Sequence, residues 1–301
     1  MRLRYLPLAV APLAVALMLF TPGPTVALET QPCPPTPGVP ANQDVLRGRC
    51  LFHSATAFRQ DANGPFASCA RCHYGSDKSD HSVHLVRVTN RSGQTIDVLR
   101  KTPSLLKAAH NSPFGADGRF AAVQDAARAA ILSPFEMRGV SLTNDQLDAL
   151  AAYVLGLPGS DPESSRFTQP PPPDAGTLNR IAIGHAVFFG KGTCFTCHAG
   201  PELTNHAVTS NQVNLTFSGG TDPGGGFVGT GGPGTFKVPS LLFLGADRPA
   251  MHSGTLGTLE QIVRFYNESF NLGLTGQELT GLTYWLGNCL DPRRNPLPST
   301  C

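Results

Sequence analysis

The sequence predicts a mainly α-helical protein of two similar domains with long loops rich in proline and glycine. The first observation is an internal repeat, since a shift of 136 residues places residues 103–106, Pro-Ser-Leu-Leu, on the identical residues 239–242. The second is a helix with one apolar face, which closes each half at residues 144–155 and 276–286. The third is composition, because 27 prolines and 32 glycines require many loops.

Each closing helix has the sequence of a capping box at its start. Thr143 is followed three residues later by Gln146, and Thr275 is followed by Glu278. In a capping box, each of the two side chains accepts a hydrogen bond from the backbone N–H of the other residue. A further helix is predicted to begin near Thr258, where apolar residues recur with helical spacing.

The N-terminus has the features of an export signal. Arg2 and Arg4 precede an apolar run at residues 6–20, and small residues at 25–27 provide a cleavage site. The run is short for a membrane-spanning helix, which needs about 20 apolar residues. We therefore expect residues 1–27 to be a signal peptide, and the mature chain to be periplasmic with no membrane attachment.

The sequence Cys-x-x-Cys-His occurs twice, at residues 69–73 and 194–198. Two thiols at this spacing add to the two vinyl groups of one porphyrin, and the next imidazole binds its iron. Two copies in an exported chain favour haem over a zinc site or a redox dithiol. The sequence thus predicts two covalently bound haem c groups, held by Cys69, Cys72 and His73 and by Cys194, Cys197 and His198; His73 and His198 bind the irons.

The two motifs divide the chain. We expect an N-terminal haem domain at residues 28–168, a proline-rich linker at 169–176 and a C-terminal haem domain at 177–301. The motifs lie 125 residues apart, and eleven extra residues after Phe52 explain the difference from 136. Without residues 1–27 the chain has 21 basic and 21 acidic residues, a balance that does not favour nucleic acid as a partner.

Four cysteines lie outside the haem motifs, at Cys33, Cys50, Cys289 and Cys301. An oxidising compartment allows two disulfides among them, with three possible connectivities. Short loops favour Cys33 with Cys50 and Cys289 with Cys301. Their expected role is to fasten the terminal segments.

Around the motifs, the chain resembles the bacterial di-haem cytochrome c peroxidases and their relative MauG, which oxidises a partner protein. The matching strings are Thr102-Pro103-Ser104-Leu105, Asp117-Gly118-Arg119, Pro134-Phe135-Glu136-Met137, Phe236-Lys237-Val238-Pro239-Ser240-Leu241, His252-Ser253-Gly254, Thr258-Leu259-Glu260 and Tyr266-Asn267. The resemblance covers nearly all of the mature chain. It implies two mostly α-helical cytochrome c-like domains with the haems near their interface.

The resemblance assigns unequal roles to the two haems. In that family the N-terminal haem is the peroxidatic one, and a glutamate at the position of Glu136 lies over the open face of its iron. Cleavage of a peroxide needs a base that takes a proton from one oxygen and returns it to the other. Glu136 is accordingly the predicted catalytic residue.

The sixth ligand of the second haem distinguishes the two branches of the family. Peroxidases have a methionine there and MauG has a tyrosine, and Tyr266 stands at that place in this chain. Only two methionines remain in the mature chain, and Met251 is the reserve ligand. The alternative for Tyr266 is a core aromatic residue on the helix that begins near Thr258.

The chain departs from the family at several positions. Ala116 replaces a tryptophan expected between the haems, and Ala126 and Ala130 replace a glutamine and a proline expected in the peroxide pocket. Calcium is not predicted, because Lys101 stands where the family has an asparagine ligand and an ammonium group does not bind a cation. His81 and His84 are expected in a loop after the first motif and receive no role at the iron. The single tryptophan, Trp285, is expected in the core.

The leading hypothesis is a periplasmic peroxidase that reduces hydrogen peroxide at the first haem. Electrons would arrive through the second haem from a small c-type cytochrome or a cupredoxin. The alternative is a MauG-like enzyme that oxidises a side chain of a protein substrate through a high-valent di-haem state. A second alternative is a non-enzymatic di-haem electron carrier, which the alanines at 126 and 130 favour.

Overall fold

Helices provide most of the regular structure in the computed structural model. It describes residues 41–55, 57, 68–90, 92–133, 136–137, 139–166, 172–209, 234–248, 250–294 and 301. The predicted signal peptide, Cys33 and part of the predicted linker lie outside these residues. We call residues 41–166 the first half and residues 172–301 the second half; the described residues belong to one compact unit.

Three helices of each half are described. They are α1 (Ala41–His53), α2 (Val123–Leu132), α3 (Asn144–Leu155), α4 (Ala175–Phe189), α5 (Leu259–Ser269) and α6 (Gly276–Asn288). The predicted capping boxes begin α3 at Thr143 and α6 at Thr275, and a third begins α5 at Thr258. A mainly helical fold is therefore confirmed, although α6 ends two residues later than the apolar pattern predicts.

In each half, two helices cross in close contact at a glycine. In the first half α1 crosses α3, and a Cβ atom at Gly48 would lie 1.9 Å from the carbonyl oxygen of Ala149. In the second half α4 crosses α6, where a Cβ atom at Gly184 would lie 2.3 Å from the carbonyl oxygen of Gly281. Only glycine permits backbones to approach so closely.

Each helix crossing is surrounded by its own apolar core. The first core includes Leu51, Phe52, Ile131, Leu147, Leu150 and Tyr153. The second core includes Ile181, Phe188, Leu259, Val263, Leu282 and Trp285. Trp285 is 2% exposed and packs 4.7 Å from the ring of Phe188, which confirms its predicted place in the core.

The described strands form two antiparallel pairs. One is a hairpin of β1 (Val83–Thr89) with β2 (Thr95–Lys101), in which Val83 pairs with Lys101. The other joins β3 (Val208–Thr209) to β4 (Phe236–Lys237). The sequence analysis placed His84 in a loop, whereas it lies in β1. The Asn-x-Ser-Gly sequence at residues 90–93 was the turn signal for this hairpin.

Hydrogen bonds between the halves come in pairs at positions that the internal repeat makes equivalent; these lie 136 residues apart, or 125 residues apart for the two histidines that follow the haem motifs. The backbone N–H of Lys101 donates to the carbonyl of His252 (3.1 Å), and that of Lys237 donates to the carbonyl of Ala116 (2.9 Å). A second pair joins the Nδ1 atom of His81 to the carbonyl of Arg248 and that of His206 to Ser112, at 2.6 Å each. The two halves thus contact each other through equivalent backbone positions.

One of the two favoured disulfides is confirmed. Cys289 is bonded to Cys301, with their Cα atoms 5.1 Å apart, and this bond fastens the C-terminus to the end of α6. Cys50 is also in a disulfide, but Cys33 lies outside the described residues. Among the described helices, none is both long and apolar enough to cross a membrane.

Gly184→Ala should lower the free energy of unfolding by about 1–3 kcal/mol or more, because the new methyl group overlaps the backbone of α6. Urea denaturation followed by circular dichroism measures the change. Gly176→Ala is the matched control in the same helix, since its nearest new contact is 3.7 Å away and alanine favours the helix. Equal stability of the two variants would contradict the close crossing.

Candidate functional site

Both Cys-x-x-Cys-His motifs form the same short turn. A 3₁₀ turn at Cys69–Arg71 lets the backbone N–H of His73 donate to the carbonyl of Cys69 (2.9 Å). The turn at Cys194–Thr196 repeats this bond, from His198 to Cys194 (3.0 Å). All four motif cysteines are free thiols. Each turn therefore presents two thiols and one imidazole on a short piece of backbone.

The two imidazole rings are held in the same orientation. The Nδ1 atom of His73 lies 3.1 Å from the carbonyl oxygen of Lys78, and that of His198 lies 3.1 Å from the carbonyl oxygen of Leu203. A carbonyl only accepts, so Nδ1 carries the proton and Nε2 is left with a lone pair for a metal. Burial lowers the pKa of His73 and lowers that of His198 to about 4, which keeps both rings neutral.

The two accepting carbonyls belong to residues that the sequence analysis did not identify. Lys78 and Leu203 are each the fifth residue after the motif histidine, and both have left-handed backbone, with φ of 50° and 51°. The side chain of Lys78 is fully buried and makes ion pairs of 2.9 Å with Asp161 and 3.0 Å with Glu163. Because every residue has a carbonyl, only the shared spacing indicated these positions.

The first thiol of each motif, that of Cys69 or Cys194, lies in apolar surroundings. Burial raises the pKa of Cys69 to about 12 and that of Cys194 to about 11. Cys69 packs against the first core and Cys194 against the second. Free thiols, a neutral oriented imidazole and apolar walls are the features that a c-type haem requires. The residues present in both halves fit this group.

Glu136 lies near the first motif. It follows α2, and its backbone N–H donates to the carbonyl of Ser133 (3.2 Å). Burial raises its pKa, although Arg119 and His84 act in the opposite direction. Its charge also contributes to the raised pKa of Cys72. The fold thus brings together a half-buried carboxyl group, a guanidinium group, an imidazole ring and the first haem motif.

Tyr266 lies near the second motif. It is near the end of α5, is packed against the second core, and its ring stacks on Phe270 with the centroids 5.8 Å apart. Burial raises its pKa to about 12, and the neighbouring Cys194 and Cys197 add to the shift. This position suits either a ligand or a core residue. Met251, the reserve ligand, has left-handed backbone in a turn before Gly254.

His81 and His84 have different surroundings. His81 is exposed and bonds to the second half, as described above. His84 is half-buried, lies 2.8 Å from the hydroxyl of Ser82 and interacts electrostatically with Glu136. One ligating atom from each of Cys72, Asp80 and His84 falls within 4.8 Å of the others. His84 therefore lies beside the first haem motif and Glu136.

Comparison with known proteins shows similarity to di-haem peroxidases and MauG. A model described as "Di-haem cytochrome c peroxidase" matches residues 47–163. Methylamine utilization protein MauG from Methylorubrum extorquens is 26% identical over 253 residues, which cover 74% of this chain and 68% of that protein. These matches support the resemblance of the chain to the di-haem cytochrome c peroxidases and MauG. The similarity makes haem the implied cofactor and oxidoreduction the implied class of reaction.

A second relative matches the chain over a shorter stretch. Cytochrome-c peroxidase IdrP2 from Denitromonas iodatirespirans is 32% identical over 127 residues, which cover 33% of this chain and 34% of that protein. The chain thus matches about a third of the length of this relative.

Solved structures of the family share the fold. The diheme peroxidase BthA from Burkholderia thailandensis has a TM-score of 0.57 at 17% identity, over 88% of this chain and 89% of that one. A MauG-like protein associated with microbial copper homeostasis has a TM-score of 0.55 at 18% identity, over 88% and 96% of the two chains. At this identity the likeness shows the fold alone.

Lys78→Met should destabilise the protein by about 1–3 kcal/mol, because the charge of the buried Asp161 loses one of its partners. Urea denaturation of the haem-loaded protein measures this loss. Glu163→Gln is the control, since Glu163 is 53% exposed and its ion pair should contribute less than about 1 kcal/mol. A larger loss of stability for Glu163→Gln than for Lys78→Met would refute the role of Lys78 as a main partner of the buried Asp161.

Proposed function

We propose that this chain is a periplasmic di-haem peroxidase that reduces hydrogen peroxide at its first haem. Residues 1–27 would act as the signal peptide, and residues 28–168 and 177–301 would form two cytochrome c-like domains joined by the linker at 169–176. Cys69 and Cys72 would hold the first haem and Cys194 and Cys197 the second. The observation that carries the proposal is the half-buried Glu136 beside the first motif.

When bound, the haem supplies an iron centre that exchanges electrons with peroxide. The protein supplies the proton transfers. Glu136 in its charged form takes a proton from one peroxide oxygen and returns it to the departing oxygen, so that water leaves. Burial suits it to both steps, because a raised pKa brings its affinity for protons closer to neutral pH.

Arg119 and His84 assist Glu136 by limiting that rise. The positive charge of Arg119, and that of the His84 ring in its protonated form, favours the carboxylate over the carboxylic acid, which keeps part of the population ready to accept a proton. The Nδ1 atoms of His73 and His198 donate to backbone carbonyls and fix the rings with Nε2 free for iron. Electrons would come from a small c-type cytochrome or a cupredoxin through the second haem.

Oxidation of a protein side chain is the second candidate function. Its support is the position of Tyr266 next to Cys194 and Cys197, together with the similarity to MauG along most of the chain. A phenolate ligand donates charge and stabilises oxidised iron, whereas a thioether raises the reduction potential. Tyr266 as a ligand of the second haem would favour an oxidised state of the protein that lasts long enough to oxidise a protein substrate.

Glu136→Gln should lower kcat/KM for hydrogen peroxide by about 10²-fold or more, since the general base is lost. In the wild-type protein kcat/KM should fall as the pH drops through the raised pKa of Glu136, and this acid limb should be absent from the variant. Steady-state oxidation of reduced cytochrome c between pH 4 and 8 measures both effects. Glu260→Gln, at an exposed position of α5, is the control and should behave as wild type. Wild-type kinetics in Glu136→Gln would reject the proposed role.

Tyr266→Phe should remove the phenolate vibrations from the resonance Raman spectrum of the ferric protein, because the ring then has no oxygen for the iron. Tyr284→Phe serves as the matched control, since Tyr284 also packs against the second core. Unchanged bands in Tyr266→Phe would make Tyr266 a core residue and leave the peroxidase as the candidate function.

A further inference from the structure

Three lysines and one aspartate form a buried cluster between the two halves. Lys101, Lys107 and Lys237 contribute three ammonium groups, and Asp247 contributes one carboxylate. All four residues are largely shielded, with Lys237 8% exposed and Asp247 4% exposed. We call these four residues the lysine cluster. Its formal charge is +2, which is unusual for a buried site.

Asp247 compensates two of the lysines. It makes ion pairs with Lys101 and Lys107, and its Oδ1 atom also accepts the backbone N–H of Ser104 (3.1 Å). Burial alone would raise the pKa of Asp247, but the two lysines hold it well below its usual range. The carboxylate is therefore fully engaged with these partners.

Lys237 stands in the second half where Lys101 stands in the first. The two lysines are 136 residues apart, and their backbone N–H groups make the paired bonds between the halves described above. Asn111 lies 136 residues before Asp247, and its Oδ1 atom accepts the backbone N–H of Ser240, as Asp247 does for Ser104. Lys237 thus faces an amide residue where Lys101 faces a carboxylate.

The ammonium group of Lys237 lacks a counter-charge from the described part of the chain. Within those residues, its hydrogen bond is to the carbonyl of Asn111, at 2.5 Å. Burial and the charge of Lys107 together lower its pKa to about 7, although Asp247 acts in the opposite direction. A carbonyl dipole compensates a buried cation less well than an anion does.

The cluster also adjoins the second haem motif. The carbonyl of Pro239, two residues after Lys237, interacts with the ring of His198, and the charge of Lys107 contributes to the lowered pKa of that ring. A haem attached to Cys194 and Cys197 carries two propionate carboxylates on the edge opposite the thioether bonds. It would therefore bring an anion into this region on a covalent tether.

We propose that Lys237 binds a propionate carboxylate of the haem in the second half, which supplies the counter-charge that Asn111 does not. The inference rests on the proposed attachment of that haem to Cys194 and Cys197. A tethered carboxylate is favoured over a free anion, because attachment gives it a high effective concentration at the site. A free anion such as phosphate has the same chemistry, and the experiment separates the two.

The test is the midpoint potential of the second haem in the intact, haem-loaded protein, measured by spectroelectrochemistry at fixed pH. Lys237→Met should lower the potential, because loss of the cation leaves the propionate charge free to stabilise ferric iron. Lys191→Met removes an exposed charge from the same half and should cause a much smaller shift. An unchanged potential in Lys237→Met overturns the inference.

Asn111→Asp is a second variant that does not remove the lysine. If a propionate already pairs with Lys237, the added carboxylate is a surplus negative charge and lowers the potential. If Lys237 is instead neutral and has no propionate partner, the new carboxylate favours protonation of the lysine, and the net charge near the haem stays the same. An unchanged potential in Asn111→Asp therefore overturns the inference. A wild-type potential that moves with phosphate concentration, but is constant in Lys237→Met, assigns the site to free anions and also overturns it.

The pyridine haemochrome spectrum of the same samples separates this inference from the proposed function. Two c-type haems per chain are expected in the wild type and in each variant. Absence of the second c-type haem from the wild type would overturn the proposed attachment and this inference with it. Two c-type haems per chain, with the same midpoint potential of the second haem in wild type and in Lys237→Met, would overturn this inference alone.

Discussion

The hydrogen bond between each motif histidine and a backbone carbonyl fixes the geometry on which both sites depend. His73 and His198 donate from Nδ1 to the carbonyls of Lys78 and Leu203. Both of these residues have left-handed backbone. Burial keeps both rings neutral, so the two imidazoles are prepared in the same way for iron. Differences between the sites must therefore arise from the residues around this common element.

Those differences are electrostatic. The anchoring carbonyl of the first half belongs to a buried lysine paired with Asp161, and that of the second half belongs to an apolar leucine. A carboxyl group, Glu136, borders the first motif, whereas a phenol, Tyr266, borders the second. Similar backbones with different charges therefore give two proposed haem sites with different surroundings.

Local patterns could be predicted from the sequence, and contacts across the halves could not. The capping boxes at Thr143 and Thr275 and the disulfide between Cys289 and Cys301 depend on residues close in the chain, so spacing indicated them. The β1–β2 hairpin was missed although its turn sequence was present. The contact of Asp247 with two lysines was not predictable, because it depends on how distant backbone positions pair.

The central claim is that both sites bind haem through the same motif but have different residues on the side of the iron away from the motif histidine. Electron paramagnetic resonance of the ferric, haem-loaded protein tests this claim. A first haem bordered by Glu136 and a second closed by a strong side-chain ligand predict one high-spin and one low-spin signal of equal intensity. Two low-spin signals, before and after partial reduction, would contradict an open catalytic iron beside Glu136.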